Sequence, residues 1–148
     1  MNIPKLNDAS DIEIRPIRRE YMNEAIELLQ LISPFKPEYS EHDAIWRLYE
    51  TQPNIFAVVA FIGPKLVGFG SVMIEMKLRG GKVGHIEEVV THSAFRRHGV
   101  GHVIVEFLTD IAREKGCYKT VLACERSVSS FYKDMSFESN GISMKRLT

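Results

Sequence analysis

Apolar residues along this chain change rhythm several times, and each change marks an element. Ile12, Ile14 and Ile17 flank Arg15-Pro16 and predict a short strand, which Pro16 confines to a sheet edge because it has no N–H to donate. Met22, Ala25, Ile26, Leu29 and Ile32 recur at helical spacing, and Ser33-Pro34 closes that helix. Ser40 and Asp43 stand at the spacing of a capping box, with Asp in place of Glu, ahead of a second short helix carrying Ile45 and Leu48. From Ile55 to Ile62 the chain is apolar without alternation, as in a strand buried on both faces. Gly63-Pro64-Lys65 turns it back into a strand from Leu66 to Leu78, and Gly80-Gly81 turns again into a strand from His85 to Val90.

The second half is paced differently. Val103, Ile104, Phe107, Leu108 and Ile111 share one helical face, and Gly116 stops the helix. Tyr118 to Cys124 predicts a strand, Ser127 to Met135 a short helix, and Phe137 to Met144 a strand pair around Asn140-Gly141, a strong hairpin dipeptide. Consecutive strands joined by tight turns are antiparallel, whereas strand–helix–strand demands a parallel crossover. The fold class is therefore α/β (α+β): a mixed central sheet flanked by helices, with its change of direction in the middle. Nothing divides the chain, so residues 1–148 are expected to form one domain, with residues 1–10 a loose N-terminal arm.

Composition narrows the classes. The chain has 148 residues, 45% hydrophobic and 26% charged, so disorder and fibrous architectures are excluded. Nineteen Lys and Arg balance nineteen Asp and Glu, so there is no global field for nucleic acid or an anionic membrane, and any bound anion needs a local site. Cys117 and Cys124 are too few for a disulfide scaffold and read as small core residues of a reducing compartment. Met1 to Ser10 holds no apolar run of the signal-peptide or membrane-spanning kind, so a soluble, cytoplasmic chain is expected.

The most informative segment runs Val89-Val90-Thr91-His92-Ser93-Ala94-Phe95-Arg96-Arg97-His98-Gly99-Val100-Gly101-His102. It leaves a strand, crosses a loop and starts a helix. Gly99 and Gly101 let backbone approach a ligand, and the first N–H groups of a helix have no intrahelical partner. With the helix dipole and Arg96 and Arg97 they make a pyrophosphate cradle; the plain alternative is a helix entered by a flexible loop. No Gly-Lys-Ser/Thr follows, and Ile104 stands where the dinucleotide fingerprint needs a third glycine.

The pattern Arg96-x-x-Gly99-x-Gly101, followed downstream by Phe131-Tyr132, resembles the acetyl-CoA loop of the GNAT N-acetyltransferases. Gly84-His85-Ile86-Glu87-Glu88-Val89-Val90, Gly116-Cys117-Tyr118-Lys119 and Phe131-Tyr132-Lys133 are similar to the glucosamine-6-phosphate N-acetyltransferase family within it, closely from Gly84 to Met144 and diffusely upstream. The resemblance implies acetyl transfer from acetyl-CoA to an amino-sugar phosphate without a metal, and a homodimer. It implies a coenzyme site of Val89, Val90, Thr91, Arg96, Arg97, His98, Gly99, Val100, Gly101, His102 and Tyr132. Substrate contacts would come from Ser33, Glu87, Glu88, Tyr118, Lys119, Lys77, Arg79 and, across a subunit boundary, Arg146.

Acetyl transfer needs a neutral amine, a stabilised oxyanion and an acid for the thiolate. Backbone N–H groups around Val89, on a strand splayed open before the loop, are candidates for the oxyanion. Tyr132 matches the tyrosine that serves the leaving sulfur; core packing is the alternative. Glu87 and Glu88 are adjacent in a strand and leave opposite faces. Glu88 would accept the ammonium proton directly, accept it through water, or only orient the sugar. His85 and Glu87 share a strand face and suggest a structural hydrogen bond. His98 and His102 have the i, i+4 spacing of a metal pair but no accompanying carboxylate motif. Three departures from the family pattern stand out: Ala123 for an acidic residue, Val128 for Asn, and an arginine displaced by one to Arg146. The competing functions are acetylation of another small amine or a protein N-terminus, and a non-catalytic acyl-CoA-binding module.

Overall fold

Five strands form one sheet in chain order. β1 (Ile12–Pro16), β2 (Ile55–Ile62), β3 (Lys65–Met76) and β4 (Lys82–Thr91) are antiparallel neighbours, and β5 (Cys117–Val121) joins β4 in parallel. Helices α1 (Met22–Leu29), α2 (His42–Glu50), α3 (Val100–Glu114) and α4 (Ser129–Lys133) complete this computed structural model, which describes residues 11–148; the expected arm over residues 1–10 lies outside them. The sheet is mixed, as expected, but its change of direction falls at the last pair, β4 and β5, rather than in the middle.

β2 occupies the predicted bounds and is covered on both sides. Val58 and Ala60 join a cluster with Ile104, Val105 and Leu108 of α3, while Ala57, Val59 and Phe61 pack with Ala25 and Leu28 of α1. Pro16 ends β1 at the sheet edge, opposite Val58. Glycine decides how close α3 comes. A Cβ at Gly70 would lie 2.7 Å from Ile104 Cγ2, and one at Gly84 would lie 2.9 Å from Ala112 Cβ, so the helix rests on bare backbone of β3 and β4. Ile104 and Leu108 are fully buried there, each stabilising the fold by about 1.5–3 kcal/mol.

This close seat rotates the helix relative to the expected face. Val100, Ile104, Val105, Leu108 and Ala112 are buried, while Phe107 is 42% exposed and Val103 only partly covered. Val100, Ile104 and Leu108 lie over Gly68 and Gly70, and Ala112 over Gly84, so those residues rather than Phe107 face the sheet. Other elements also differ. α1 ends at Leu29, and turns whose N–H groups donate to Leu28 and Leu29 carry the chain to Ser33. The capping box is made by Glu38 and Glu41 around a 3-10 turn, not by Ser40 and Asp43; Asp43 instead meets Arg19 at 2.8 Å. β4 begins at Lys82, before His85, and β5 stops at Val121. A 3-10 turn over Arg126–Val128 precedes the short α4. Cys117 is half-buried and Cys124 exposed, so Cys124 is not a core residue.

The predicted hairpin around Asn140-Gly141 does not form. Among the described residues no strand follows β5, and Ile142, Met144 and Leu147 are about nine-tenths exposed. Gly141 has φ 81°, so the local turn chemistry is present, but its flanks find no strand to pair with.

Candidate active site

β5 pairs with β4 along its whole length, but β4 is engaged only over its first residues. The register runs from Lys82 opposite Cys117 to His85 opposite Val121, and then the chain past β5 parts from β4. From Ile86 to Thr91, β4 is bonded to β3 alone, so every second peptide group opens into the fork. Within this stretch lies a bulge. Phe69 pairs with Val90 and Ser71 with Glu87, so Glu88 and Val89 both stand against Gly70. Glu88 takes φ 54°, a left-handed conformation unusual for a non-glycine residue. The bulge corrects the expected alternation: Glu87 and Glu88 are not simply sent to opposite faces. Partial desolvation, then the neighbouring charge of Glu87, pushes the Glu88 carboxyl above its ordinary range.

The fork leads straight into the glycine loop. After Thr91 comes a 3-10 turn over Ser93–Phe95, with Ala94 N–H donating to His92 Nδ1 at 3.1 Å. Phe95 anchors the loop on the core and sits 5.7 Å from the His98 ring. Arg97 takes φ 70° and Gly99 φ 83°, and Gly99 caps α3. Val103 N–H is the donor that reaches back to Gly99, so the N–H groups of Val100, Gly101 and His102 face outward from the helix start. Arg96 and Arg97 are exposed beside them. Exposed donors, the helix dipole and two exposed arginines thus share one loop, a composition that fits a pyrophosphate.

α4 closes the other side. A Cβ at Gly101 would lie 3.3 Å from Phe131 Cζ and 3.5 Å from Thr91 Oγ1, so Gly101 lets α4 reach the loop as well as keeping backbone bare. Tyr132 is half-buried, its ring set edge-on to Phe131 and Phe137 at 5.0 and 5.8 Å. Burial first, and Cys124 second, hold its hydroxyl above the ordinary phenol range, so it stays protonated at neutral pH. Its ring packs on the α3-side core. The packing role and a role for the hydroxyl therefore coexist.

On the face opposite α3 the far half of the sheet is polar. Gly84 and Ile86 contact the α3 side, so His85 and Glu87 alternate onto the open one. The hydrogen bond expected between His85 and Glu87 does not form; His85 bonds Glu75 across the ladder instead. Its Nε2 meets Glu75 Oε1 at 2.8 Å, and the same oxygen takes Lys77 Nζ at 2.9 Å. Lys77 and His85 hold the Glu75 carboxyl below its usual range. Lys119 stands opposite Val83 on β5, and the Tyr118 ring lies over Gly81, 2.9 Å from where a Cβ would be. Tyr118, Lys119 and Lys77 thus gather at the β3–β4 turn, which also carries Arg79. Ser33 is exposed in the loop after α1, and Arg146 lies in the exposed tail. Two residues escaped the sequence reading. Glu75 of β3 shares its sheet face with His85 of β4, which alternation shows only once the β3–β4 register is known. Tyr49 of α2 is pushed up to about 12 by burial and then by the charge of Glu88.

Among the described residues, no group of three or more His, Cys, Asp or Glu is placed to hold a metal ion, and no helix is long and apolar enough to cross a membrane.

A model of the acetyltransferase (GNAT) family matches residues 24–137. The chain belongs to the GNAT acetyltransferases. Glucosamine 6-phosphate N-acetyltransferase of Arabidopsis thaliana is 44% identical over 84 residues, 55% of this chain and 56% of that protein, so this GNAT chain spans about half the length of that relative. The enzyme of the same name from Trypanosoma brucei brucei is 31% identical over 144 residues, 95% of this chain and 98% of its own. The crystal structure of the Arabidopsis glucosamine-6-phosphate N-acetyltransferase superposes with a TM-score of 0.85 at 31% identity, covering 92% of this chain and 97% of that one. This GNAT domain therefore has the expected mixed sheet flanked by helices.

Proposed function

We propose that this chain transfers acetyl from acetyl-CoA to the 2-amino group of D-glucosamine 6-phosphate, giving N-acetyl-D-glucosamine 6-phosphate and CoA, on the route to UDP-N-acetylglucosamine. The observation that carries this is the similarity along nearly the whole chain to the Trypanosoma enzyme of that activity. Acetyl-CoA is the acyl donor of the family. Its pyrophosphate suits the donors of Val100, Gly101 and His102 with Arg96 and Arg97, and its thioester arm suits the fork beside Val89, Val90 and Thr91.

The amine attacks the thioester carbon directly. Backbone N–H groups around Val89, fixed by the bulge, face the developing oxyanion and need no reorganisation. The Tyr132 phenol gives its proton to the departing thiolate. Glu88, partly desolvated, orients the ammonium from the bulge. Glu87, Tyr118 and Lys119 line the open face for the sugar hydroxyls. Lys77 and Arg79, at the β3–β4 turn, serve its phosphate, although Lys77 must share itself with Glu75. Ser33 completes the sugar site from the loop after α1.

A homodimer fits this reading. The tail after β5 exposes Ile142, Met144 and Leu147, and Arg146 on that tail would reach a second subunit's substrate. Two unpaired cysteines suit the cytoplasm, and residues 1–148 fit one domain. The test is thiol release from acetyl-CoA with glucosamine 6-phosphate, glucosamine and a peptide N-terminus in parallel. Turnover is expected with the phosphorylated sugar at well above the rate of the others. Equal or greater turnover with the peptide, or none with any amine, rejects the reading.

A further inference from the structure

We infer that His85, oriented by Glu75, is a further catalytic residue of this site: the group that takes the proton from the substrate ammonium. The inference rests on the acetyl-transfer reading above. It begins with position. His85 is the last residue of β4 that pairs with β5, so its imidazole stands at the closed end of the fork, on the open polar face with Glu87. The side chain is 27% exposed, covered enough to be held and open enough to be reached.

Among the described residues, the ring's one hydrogen-bond partner is Glu75. Glu75 Oε1 lies 2.8 Å from Nε2, and Lys77 Nζ bonds the same oxygen at 2.9 Å. Lys77 first, and His85 second, keep Glu75 ionised, so the oxygen facing Nε2 can only accept. Nε2 therefore carries hydrogen, and in the neutral ring the lone pair is left on Nδ1. A carboxylate that fixes one imidazole nitrogen as donor sets the other as base. The charged groups around the ring are Glu75 and Lys77 from β3 and its turn, Glu87 on β4 and Lys119 on β5, with Met73 and Val121 directly across.

The proton count closes. An N–H bond of the ammonium breaks, its pair stays on nitrogen, and the proton bonds Nδ1. The amine forms the C–N bond as the C–S bond breaks. The thiolate takes the Tyr132 proton, the new amide returns its surplus proton to that phenolate, and the imidazolium gives its proton to water.

The experiment compares H85Q and E75Q with wild type across pH. With glucosamine 6-phosphate, H85Q should lose about 10²-fold or more in kcat/KM at neutral pH, with the KM for acetyl-CoA unchanged and the loss shrinking at high pH as free amine supplies itself. E75Q should fall less but shift the pH profile, because an amide can donate to Nε2 and release the ring into the other tautomer. A carboxylate that merely steadied the hairpin would lower the melting temperature and leave the profile where it was. An H85Q enzyme with the wild-type profile overturns the inference. So does nitrogen NMR of the wild-type ring, without substrate, if it places the neutral-form proton on Nδ1. Wild-type inactivity toward glucosamine 6-phosphate would reject the functional reading instead, and the tautomer would still decide the dyad.

Discussion

Replacing Gly101 with valine tests the meeting of loop, helix and α4 at one point. A Cβ there already lies 3.3 Å from Phe131 Cζ and 3.5 Å from Thr91 Oγ1, and valine adds two γ-methyls beyond it. Helix propensity offsets part of the cost, since valine is better than glycine by a few tenths of a kcal/mol. Overpacking of this kind costs roughly 1–3 kcal/mol, so the net loss is about 1–2 kcal/mol, or roughly 3–8 °C in melting temperature for a chain of this size. The ligand effect is larger. Wild type at a hundred times the dissociation constant of acetyl-CoA should gain about 2.7 kcal/mol, roughly 5–10 °C. In G101V a displaced Phe131 and a branched side chain beside the outward N–H groups should remove most of that gain. Thermal melts of both proteins with and without saturating acetyl-CoA give all four numbers. A G101V protein that keeps the full ligand-induced shift would show that the helix start does not hold the pyrophosphate.

Tyr132→Phe keeps the ring against Phe131 and Phe137 but removes the acid, so turnover should fall roughly ten- to a hundredfold with acetyl-CoA affinity intact; unchanged turnover under conditions where product release is not limiting leaves the tyrosine as packing only. Glu88 titrates above its unfolded value, so it favours folding while protonated, and that contribution is lost as pH rises through its folded pKa. Glu88→Gln should therefore be more stable than wild type at neutral pH, with the difference vanishing in acid, and should raise the KM for the amino sugar; a stability difference that does not move with pH rejects the desolvation. Removing residues 138–148 should convert a dimer to a monomer by light scattering, and a monomeric full-length chain at assay concentrations rejects the tail contact.

The strands were largely readable because their neighbours are near in sequence. The unbroken apolar run of β2 and the lone Pro16 of β1 each carry one unambiguous signal. What escaped depends on partners elsewhere. Asn140-Gly141 announces a turn, but a hairpin also needs flanks that pack against something, and Ile142, Met144 and Leu147 stay exposed. The face of α3 was displaced because the glycines that seat it, Gly68, Gly70 and Gly84, belong to other strands. The bulge at Glu88 answers to Gly70 across the ladder, so adjacent glutamates were taken for opposite ones. Tyr118 and Lys119 beside Lys77, and Phe131 and Tyr132 beside Gly101, were legible through resemblance. The Glu75–His85 pair was legible through alternation, once both strands were in register.

The fork between β4 and β5 has a consequence for how this protein tolerates change. Whatever lies between those strands meets peptide groups of Ile86 to Thr91, and a peptide group is the same beneath every side chain but one. Substitutions there can alter packing and leave the lining donors in place. Only proline deletes an N–H outright. A scan of side chains would therefore under-report this half of the site. Replacing single amides by esters along β4 would find it, one donor at a time.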